Sequence, residues 1–434
     1  MVAALPRCVL CGSYCLFLNI AFYSHYFTPE IGAPSARIQD LSREWIGLGH
    51  SVQVVTCFPN HPFGRLYPGY RRGFYLEETL EKIQVHRHWT YVARNEGIIK
   101  KSLGHLSYLP SAALLSQPRL KPYDVAIASS PTFFAALAGL WGGRRRRVPF
   151  IMEIRDLWPA IFVDLGIIKN RRVIGWLERL EMGLYRKAAH IVTVTHAFRR
   201  NLISRGISGE KISVVPNGAD VDFWQPVEDS ASLRRELGLP PGFLILYLGA
   251  HGISHALGKI LEAAEILRGQ PGIQFLFVGE GAEKKKLFQE AQRRRLLNVH
   301  FFDPVKKGEV KKFYGAADVG LVPLRKIPLF QTFVPSKMFE IMAMGRPIIG
   351  SVQGEAAQIL QQSGGALVVQ PEDAKGIAES ILRLYQDENE GRTLGKRGRR
   401  FVVENYSRRS LARQYFEIVR GAIGNYKEGS GCGF

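Results

Sequence analysis

The sequence predicts an α/β protein of two tandem Rossmann-like, doubly wound domains, and three observations support this. Its 434 residues are too many for one ordinary domain and comfortable for two. Short apolar runs alternate with longer amphipathic ones, as parallel strands covered by helices on both faces require. The alternation restarts after a strong Pro/Asn/Gly break at Val215-Pro216-Asn217-Gly218-Ala219-Asp220.

In the first half the pattern predicts strands over 16–24, 51–56, 83–89, 124–129, 149–154, 190–195 and 212–215. Helices fall between them over 35–47, 133–141, 173–188 and 197–205. In the second half strands are expected over 243–249, 273–278, 299–302, 319–322, 347–350 and 366–369. Its helices are expected over 257–268, 283–295, 307–314, 336–344, 355–361, 375–385 and 411–423. The resulting division is an extension over 1–14, a first domain over 15–222, a second over 223–405, and a C-terminal helix over 406–434 packing back toward the first. Ligands of such sheets bind beyond the carboxyl ends of the strands. Two facing domains therefore suit a reaction that closes around a nucleotide.

The start of the chain admits two readings. No Asp, Glu, Lys or Arg lies between Arg7 and Glu30, which fits an uncleaved signal-anchor helix. The aromatic and branched run over 16–26, leading into a Pro/Gly turn, favours a buried parallel strand.

Composition narrows the function classes. Hydrophobic residues at 46% and charged residues at 22% describe a globular chain, and no repeat of solenoid period is present. The 58 Lys+Arg against 38 Asp+Glu give a net charge of +20, which suits an anionic partner. The positive charge comes in bursts, such as Arg144 to Arg147 and Arg293 to Arg295, each of which also reads as a solvated face. With no RNA-binding aromatic signature or zinc-finger spacing, a nucleic-acid partner is not expected. Of five cysteines, Cys8, Cys11 and Cys15 crowd the N-terminus. The Cys8-x-x-Cys11 pair lacks a second pair or nearby His, so no metal site is expected, and a reduced, cytoplasmic protein is the inference.

The most informative segment runs from Phe333 to Pro347. Pro335 and Ser336 should start and cap a helix, and Gly345 should end it. Its first-turn amides would seat a phosphate. Lys337 is poorly placed for the helix dipole and well placed for an anionic ligand. Glu340 shares its face. Lys on a diphosphate and Glu on ribose hydroxyls make a nucleotide grip; a surface Lys–Glu pair over a Met/Phe core is the alternative.

The Pro335-Ser336-Lys337-x-x-Glu340-x-x-Ala343-x-Gly345-x-Pro347 run resembles the nucleotide-sugar site of glycosyltransferase family 4, especially its WbuB-like branch of surface-polysaccharide transferases. Further segments agree in order: His25-Tyr26-Phe27-x-Pro29-Glu30-x-Gly32-Ala33-Pro34, Leu48-Gly49-His50-x-Val52, Arg155-Asp156-Leu157-Trp158-Pro159 and Gly354-Glu355-Ala356. The resemblance implies a GT-B fold, a nucleoside-diphosphate sugar donor, retention of anomeric configuration and no bound metal or other cofactor. It implies that Glu340 holds the donor ribose and that Lys337 and the amides around Ser336 hold its diphosphate. Gly32 would let the first loop approach the donor.

Two segments depart from the family pattern. A Glu common eight residues before the position of Glu340 is here Thr332. An Arg/Lys pair common after the first strand of the second domain is replaced by Gly249-Ala250-His251-Gly252-Ile253-Ser254-His255, leaving Lys259, Arg325 and Lys326 as alternative cations. Gly249 and His251 are candidate donor contacts, although His251 equally suits a structural role. Gly279-Glu280-Gly281 follows a strand, with Glu280 a candidate near the nucleotide base. Arg155 and Asp156, beyond a strand end, are candidates for contact with donor or acceptor; a structural ion pair is the alternative. Asn217, Gly218 and Asp220 shape a turn.

Lys100 and Lys101 precede an apolar run over 103–115, either an interfacial helix or a crossover helix packed on the sheet. With the net charge, this predicts peripheral binding to the anionic cytoplasmic face of the inner membrane and a lipid-linked or oligosaccharide acceptor. Two rival functions remain: a nucleotide-sugar epimerase on the same fold, and a non-catalytic basic membrane-binding protein on a degenerate transferase scaffold.

Overall fold

The computed structural model describes residues 17–30, 32–61, 64–92, 98–130, 132–160, 163 and 168–429. The expected 1–14 extension, the Cys8, Cys11 and Cys15 cluster and most of any N-terminal anchor lie outside them. Among the described residues no helix is long and apolar enough to cross a membrane. The chain forms two compact units, one of residues 1–194, 198–215 and 409–434, the other of 195–197 and 216–408.

The first unit holds β1 (Asn19–Tyr23), α1 (Ala33–Gly47), β2 (Ser51–Cys57), β3 (Tyr75–Leu80), β4 (Ile83–His88), α2 (Ile98–Pro110), β5 (Val125–Ser129), α3 (Phe133–Arg146), β6 (Phe150–Ile154), α4 (Arg171–Lys187), β7 (His190–Thr193), α5 (His196–Ser204) and β8 (Ile212–Val214). Its eight strands lie in the order β3-β4-β2-β1-β5-β6-β7-β8. All pair in parallel except β3, which pairs antiparallel with β4. The order reverses between β1 and β5, and this switch point opens the crevice where doubly wound sheets take ligands.

β1 is apolar and buried beyond Asn19 because both faces of the central sheet are covered. Ile20 and Phe22 are buried on it, and Phe22 stacks on Trp45 of α1 at 5.5 Å between centroids. The C-terminal helix, residues 408–429, closes this core. Trp45 Nε1 donates to the Ala412 carbonyl at 2.9 Å, and Tyr415 meets the indole edge-on at 5.5 Å. Each such fully buried side chain is worth about 1.5–3 kcal/mol.

The second unit holds α6 (Ser230–Glu236), β9 (Phe243–Leu248), α7 (Leu257–Ile266), β10 (Ile273–Val278), α8 (Lys284–Arg293), β11 (Val299–Phe302), α9 (Lys307–Ala316), β12 (Val319–Pro323), α10 (Lys337–Ala343), β13 (Ile348–Ser351), α11 (Glu355–Ser363), β14 (Ala366–Val369), α12 (Ala374–Gln386) and α13 (Glu388–Asn405). Six parallel strands run in the order β11-β10-β9-β12-β13-β14, with the switch between β9 and β12. Ile245, Phe275, Phe277, Val319 and Ile349 form its core with Leu257, Ile260 and Leu261 of α7.

Among the described residues, the strand β3 and the α-helices α6 and α13 are additional to those expected. The crossing between units also comes at 215/216, earlier than the expected 222/223. Val215 is the last residue buried in the first core before the chain crosses, and the C-terminal helix rejoins that core from Leu411 on. Beyond it, Ala219 bridges Ser407 and Arg408 Nε donates to the Gly218 carbonyl at 2.9 Å, tying 216–222 to the second unit.

Candidate functional site

In the second unit the candidate residues gather at the switch point. β9 ends at Leu248, and Gly249 turns the chain away with φ +143°, in the range that favours glycine. Tyr247, the penultimate residue of the strand, donates its hydroxyl to the Ala250 carbonyl at 2.6 Å and so holds the following loop. The Lys337 ammonium lies over the Tyr247 ring, 4.1 Å from its centroid. A Cβ at position 249 would stand 2.7 Å from that nitrogen. The ammonium is buried and has no hydrogen-bond partner among the described residues.

A buried, unpartnered ammonium is costly, because the charged form loses its water. Burial pushes the Lys337 pKa down to about 7, with Glu340 acting weakly in the opposite direction. The neighbouring imidazoles are held neutral: burial, with the charges of Lys284 and Lys337 adding to it, lowers His251 to about 4, and burial with the Lys337 charge lowers His255 to about 3. An anion entering beside Lys337 would restore the missing partner. Two more glycines let the loops at this corner approach closely. A Cβ at Gly279 would fall 2.0 Å from the Gly249 carbonyl oxygen, and one at Gly281 2.4 Å from that of His251.

Glu340 lies one turn along α10, half-buried, with Arg408 Nη2 3.7 Å from its carboxylate. Glu280 is exposed and paired with Lys284 at 3.3 Å. His251 is fully buried, and its amide donates to the Glu280 carbonyl at 2.9 Å.

In the first unit Arg155 and Asp156 follow β6, at the carboxyl edge of the sheet. Ser130 Oγ, after β5, accepts both their amides, at 2.7 and 3.3 Å. Burial raises the Asp156 carboxyl to about 6, against the Arg155 charge. Beneath them burial pushes the Glu153 carboxyl up, but Arg37, Arg155 and Ser129 outweigh it and hold the group below its usual range. After β1, Glu30 is buried and accepts the amides of Phe27 at 3.2 Å and of Asn60 and His61 at 2.8 Å each.

Residues 32–218 match the family model of the glycosyl transferase 4-like domain, and residues 242–387 match that of glycosyl transferases group 1. The chain belongs to glycosyltransferase family 4. It is 26% identical over 421 residues to WcaI of Escherichia coli (strain K12), named as a colanic acid biosynthesis glycosyl transferase, covering 93% of this chain and 100% of that one. It is 24% identical over 406 residues to N-acetyl-alpha-D-glucosaminyl L-malate synthase of Bacillus anthracis, covering 92% and 97%. Among solved structures, HepE of Anabaena in complex with UDP-glucose superposes with a TM-score of 0.70 at 16% identity, covering 93% and 100%. The fold is thus GT-B, and the enzyme is a glycosyltransferase.

Within this family-4 transferase several local expectations need correction. Ser336 makes no side-chain cap; it already has helical dihedrals, φ −60° and ψ −29°. The first-turn amides are not an open seat either, since Met338 N donates to the Pro335 carbonyl at 3.2 Å and Phe339 N to that of Ser336 at 3.1 Å. Lys337 is no surface charge, because its stem folds back over Tyr247. Gly32 has φ 170°, extended backbone open to any residue, and a Cβ there would meet only Pro34 Cδ at 3.6 Å.

Two of the three alternative cations face carboxylates, while Lys326 is held, among the described residues, only through its backbone amide. Lys259 pairs with Glu262 at 2.8 Å and Arg325 faces Glu372 at 3.6 Å, while the Lys326 amide donates to Glu372 at 3.0 Å. Thr332 donates its hydroxyl to the Leu329 carbonyl at 2.6 Å. Sequence reasoning missed Tyr247, whose role as the floor under Lys337 has no local signal in the strand. Gly354, already singled out within Gly354-Glu355-Ala356, has φ +67° and a Cβ position 2.0 Å from the Gln331 carbonyl oxygen.

Proposed function

We propose that this transferase moves a sugar from a nucleoside-diphosphate donor to a lipid-linked or saccharide acceptor in surface-polysaccharide biosynthesis, with retention and without a resident metal. The observation that carries the reading is the buried, unpartnered Lys337 ammonium beside the Gly249 turn at the switch point of the second sheet. Lys337 holds the donor diphosphate, Glu340 the ribose, and Gly249, His251, Glu280 and Ser336 line the donor. The relative named for colanic acid supports a surface polysaccharide, the glucosaminyl relative an N-acetylated aminosugar, and the UDP-glucose neighbour a nucleotide-sugar.

In the reaction the bond from the sugar C1 to the diphosphate oxygen breaks, and a bond from C1 to the acceptor oxygen forms on the same face. The acceptor proton passes to the leaving phosphate. Negative charge grows on that phosphate as the bond breaks, so a fixed cation aimed there stabilises the transition state more than the ground state. Asp156 and Arg155 contact sugar hydroxyls. Peripheral attachment to the anionic cytoplasmic face of the inner membrane follows from the +20 charge and from the leucines that α2 exposes, with Tyr108 on its opposite face buried.

The test is a thermal-shift screen of UDP-, GDP- and ADP-sugars, followed by transfer assays with the stabilising donor. One nucleotide-sugar should stabilise the protein and be turned over only with acceptor. Interconversion of the donor without acceptor would favour an epimerase, and binding without turnover a non-catalytic scaffold.

A further inference from the structure

A cavity of about 360 Å³ lies in the first unit, lined by Phe58, Leu66, Arg72, Trp89, Thr90 and Tyr91 among others. Phe58 directly follows β2 and Trp89 directly follows β4, so the cavity opens at the carboxyl edge of the sheet, beside the switch-point strand β1. That is the edge where ligands of parallel sheets bind. No residue of the donor site described above contributes to it.

Its walls suit a sugar. Trp89 and Tyr91 are 41% and 45% exposed, high for large aromatics placed in a concave wall. Rings of this kind present flat apolar faces to the C–H faces of a pyranose. Arg72 is the cavity's only ionisable group with a permanent charge, and it makes no hydrogen bond or ion pair among the described residues. A guanidinium so placed suits the forked oxygens of a phosphate.

The wall is also coupled to an apolar ridge. Tyr91 N donates to Ser107 Oγ on α2 at 2.8 Å, and Thr90 Oγ1 donates to the Gly104 carbonyl at 2.6 Å. The approach is close: a Cβ on Gly104 would stand 3.0 Å from the Tyr91 carbonyl oxygen. On this same stretch of α2, Leu103 and Leu106 are 47% and 48% exposed, three residues apart on one helix face.

We propose that this cavity is the head-group site for the acceptor, and that the acceptor is amphipathic. Its sugar stacks on Trp89 and Tyr91, its phosphate pairs with Arg72, and its hydrocarbon lies along Leu103 and Leu106. The proposal rests on the glycosyl-transfer reading and assigns the acceptor half of that reaction.

The test is calorimetric titration of the full-length protein with three probes: farnesyl diphospho-N-acetylglucosamine, N-acetylglucosamine 1-phosphate and farnesyl diphosphate. The complete probe should bind at least about tenfold more tightly than either fragment. Arg72→Gln and Trp89→Ala should each weaken it about tenfold. Leu106→Ser should weaken the two farnesyl probes and leave the sugar phosphate unchanged. All three variants should bind UDP as the wild type does. Wild-type affinity for the complete probe in Arg72→Gln and Trp89→Ala, or failure of the wild type to bind any probe, overturns the proposal. Failure of the wild type to bind any nucleotide would instead overturn the donor reading and leave this one standing.

Discussion

At the switch point of the second sheet a lysine ammonium is buried with no hydrogen-bond partner among the described residues, whereas at that of the first a glutamate is buried with three. Both groups are displaced toward neutrality by burial, Lys337 down to about 7 and Glu30 up to about 7. Their surroundings differ in what they leave undone. Glu30 spends its oxygens on the amides of Phe27, Asn60 and His61, so it ties the loop after β1 to the loop after β2. Lys337 ties nothing. A satisfied buried charge is part of the scaffold, and an unsatisfied one is held ready for a ligand.

The contrast makes opposite predictions for the two units. Lys337→Met should cut turnover about 10²-fold, as loss of one donor to a developing oxyanion does elsewhere. It should not destabilise the fold, since a thioether suits the site over Tyr247 better than an ammonium. The folded lysine binds its proton less tightly than the unfolded one, so its cost is fully present below pH 7 and fades as pH rises toward the unfolded value. The gain in melting temperature should therefore be larger at pH 6 than at pH 9. Glu30→Ala should do the reverse, lowering stability by about 2 kcal/mol or more by orphaning buried amides. Denaturant titration reads this directly.

A smaller effect separates packing from chemistry. A Cβ at Gly395 of α13 would stand 2.1 Å from the Gly345 carbonyl oxygen, just past the end of α10. Gly395→Ala should cost about 1–3 kcal/mol by overpacking and should also weaken nucleotide binding by shifting α10. The mildest change is Asp156→Asn. It removes a carboxyl that burial raises to about 6, so a limb near pH 6 in the kcat/KM profile should disappear while the fold stays intact.

Most strands and helices were legible because periodicity reports burial. β10, β11 and β14 were expected with the bounds they have, since each is a short apolar run between turn signals. The additions show where that signal fails. β3 turns into β4 through Glu81 and Lys82, with φ +52° and +68°, where such a hairpin turn ordinarily announces itself with Asn or Gly. α13 carries Gly391, Gly395 and Gly398, poor helix formers; close packing requires small residues at two of them, Gly395 against the Gly345 carbonyl and Gly398 against Met342. α6 follows an acidic stretch that resembles a linker, although Asp229 caps it through the Ser232 amide at 2.8 Å.

The site was legible as a set of residue types and only partly as geometry. Lys337 and Glu340 share a helix in both readings. Whether a lysine at the start of α10 reaches solvent or folds over an aromatic ring depends on Tyr247, ninety residues away in sequence. Three-dimensional neighbours of that kind leave no trace in local spacing. The same holds for Arg325 and Lys259, whose charges looked available until Glu372 and Glu262 came beside them.

The central claim is that Lys337 waits for an anion. It is tested most directly by titrating UDP at pH 8 in buffers of different ionisation enthalpy, with the wild type and Lys337→Met. A lysine near pKa 7 is mostly neutral at that pH, and a diphosphate beside it should recharge it. The account predicts uptake of nearly one proton on binding to the wild type, little at pH 6, and none with Lys337→Met. Equal proton uptake by the two proteins, or unchanged UDP affinity in the variant, would contradict it.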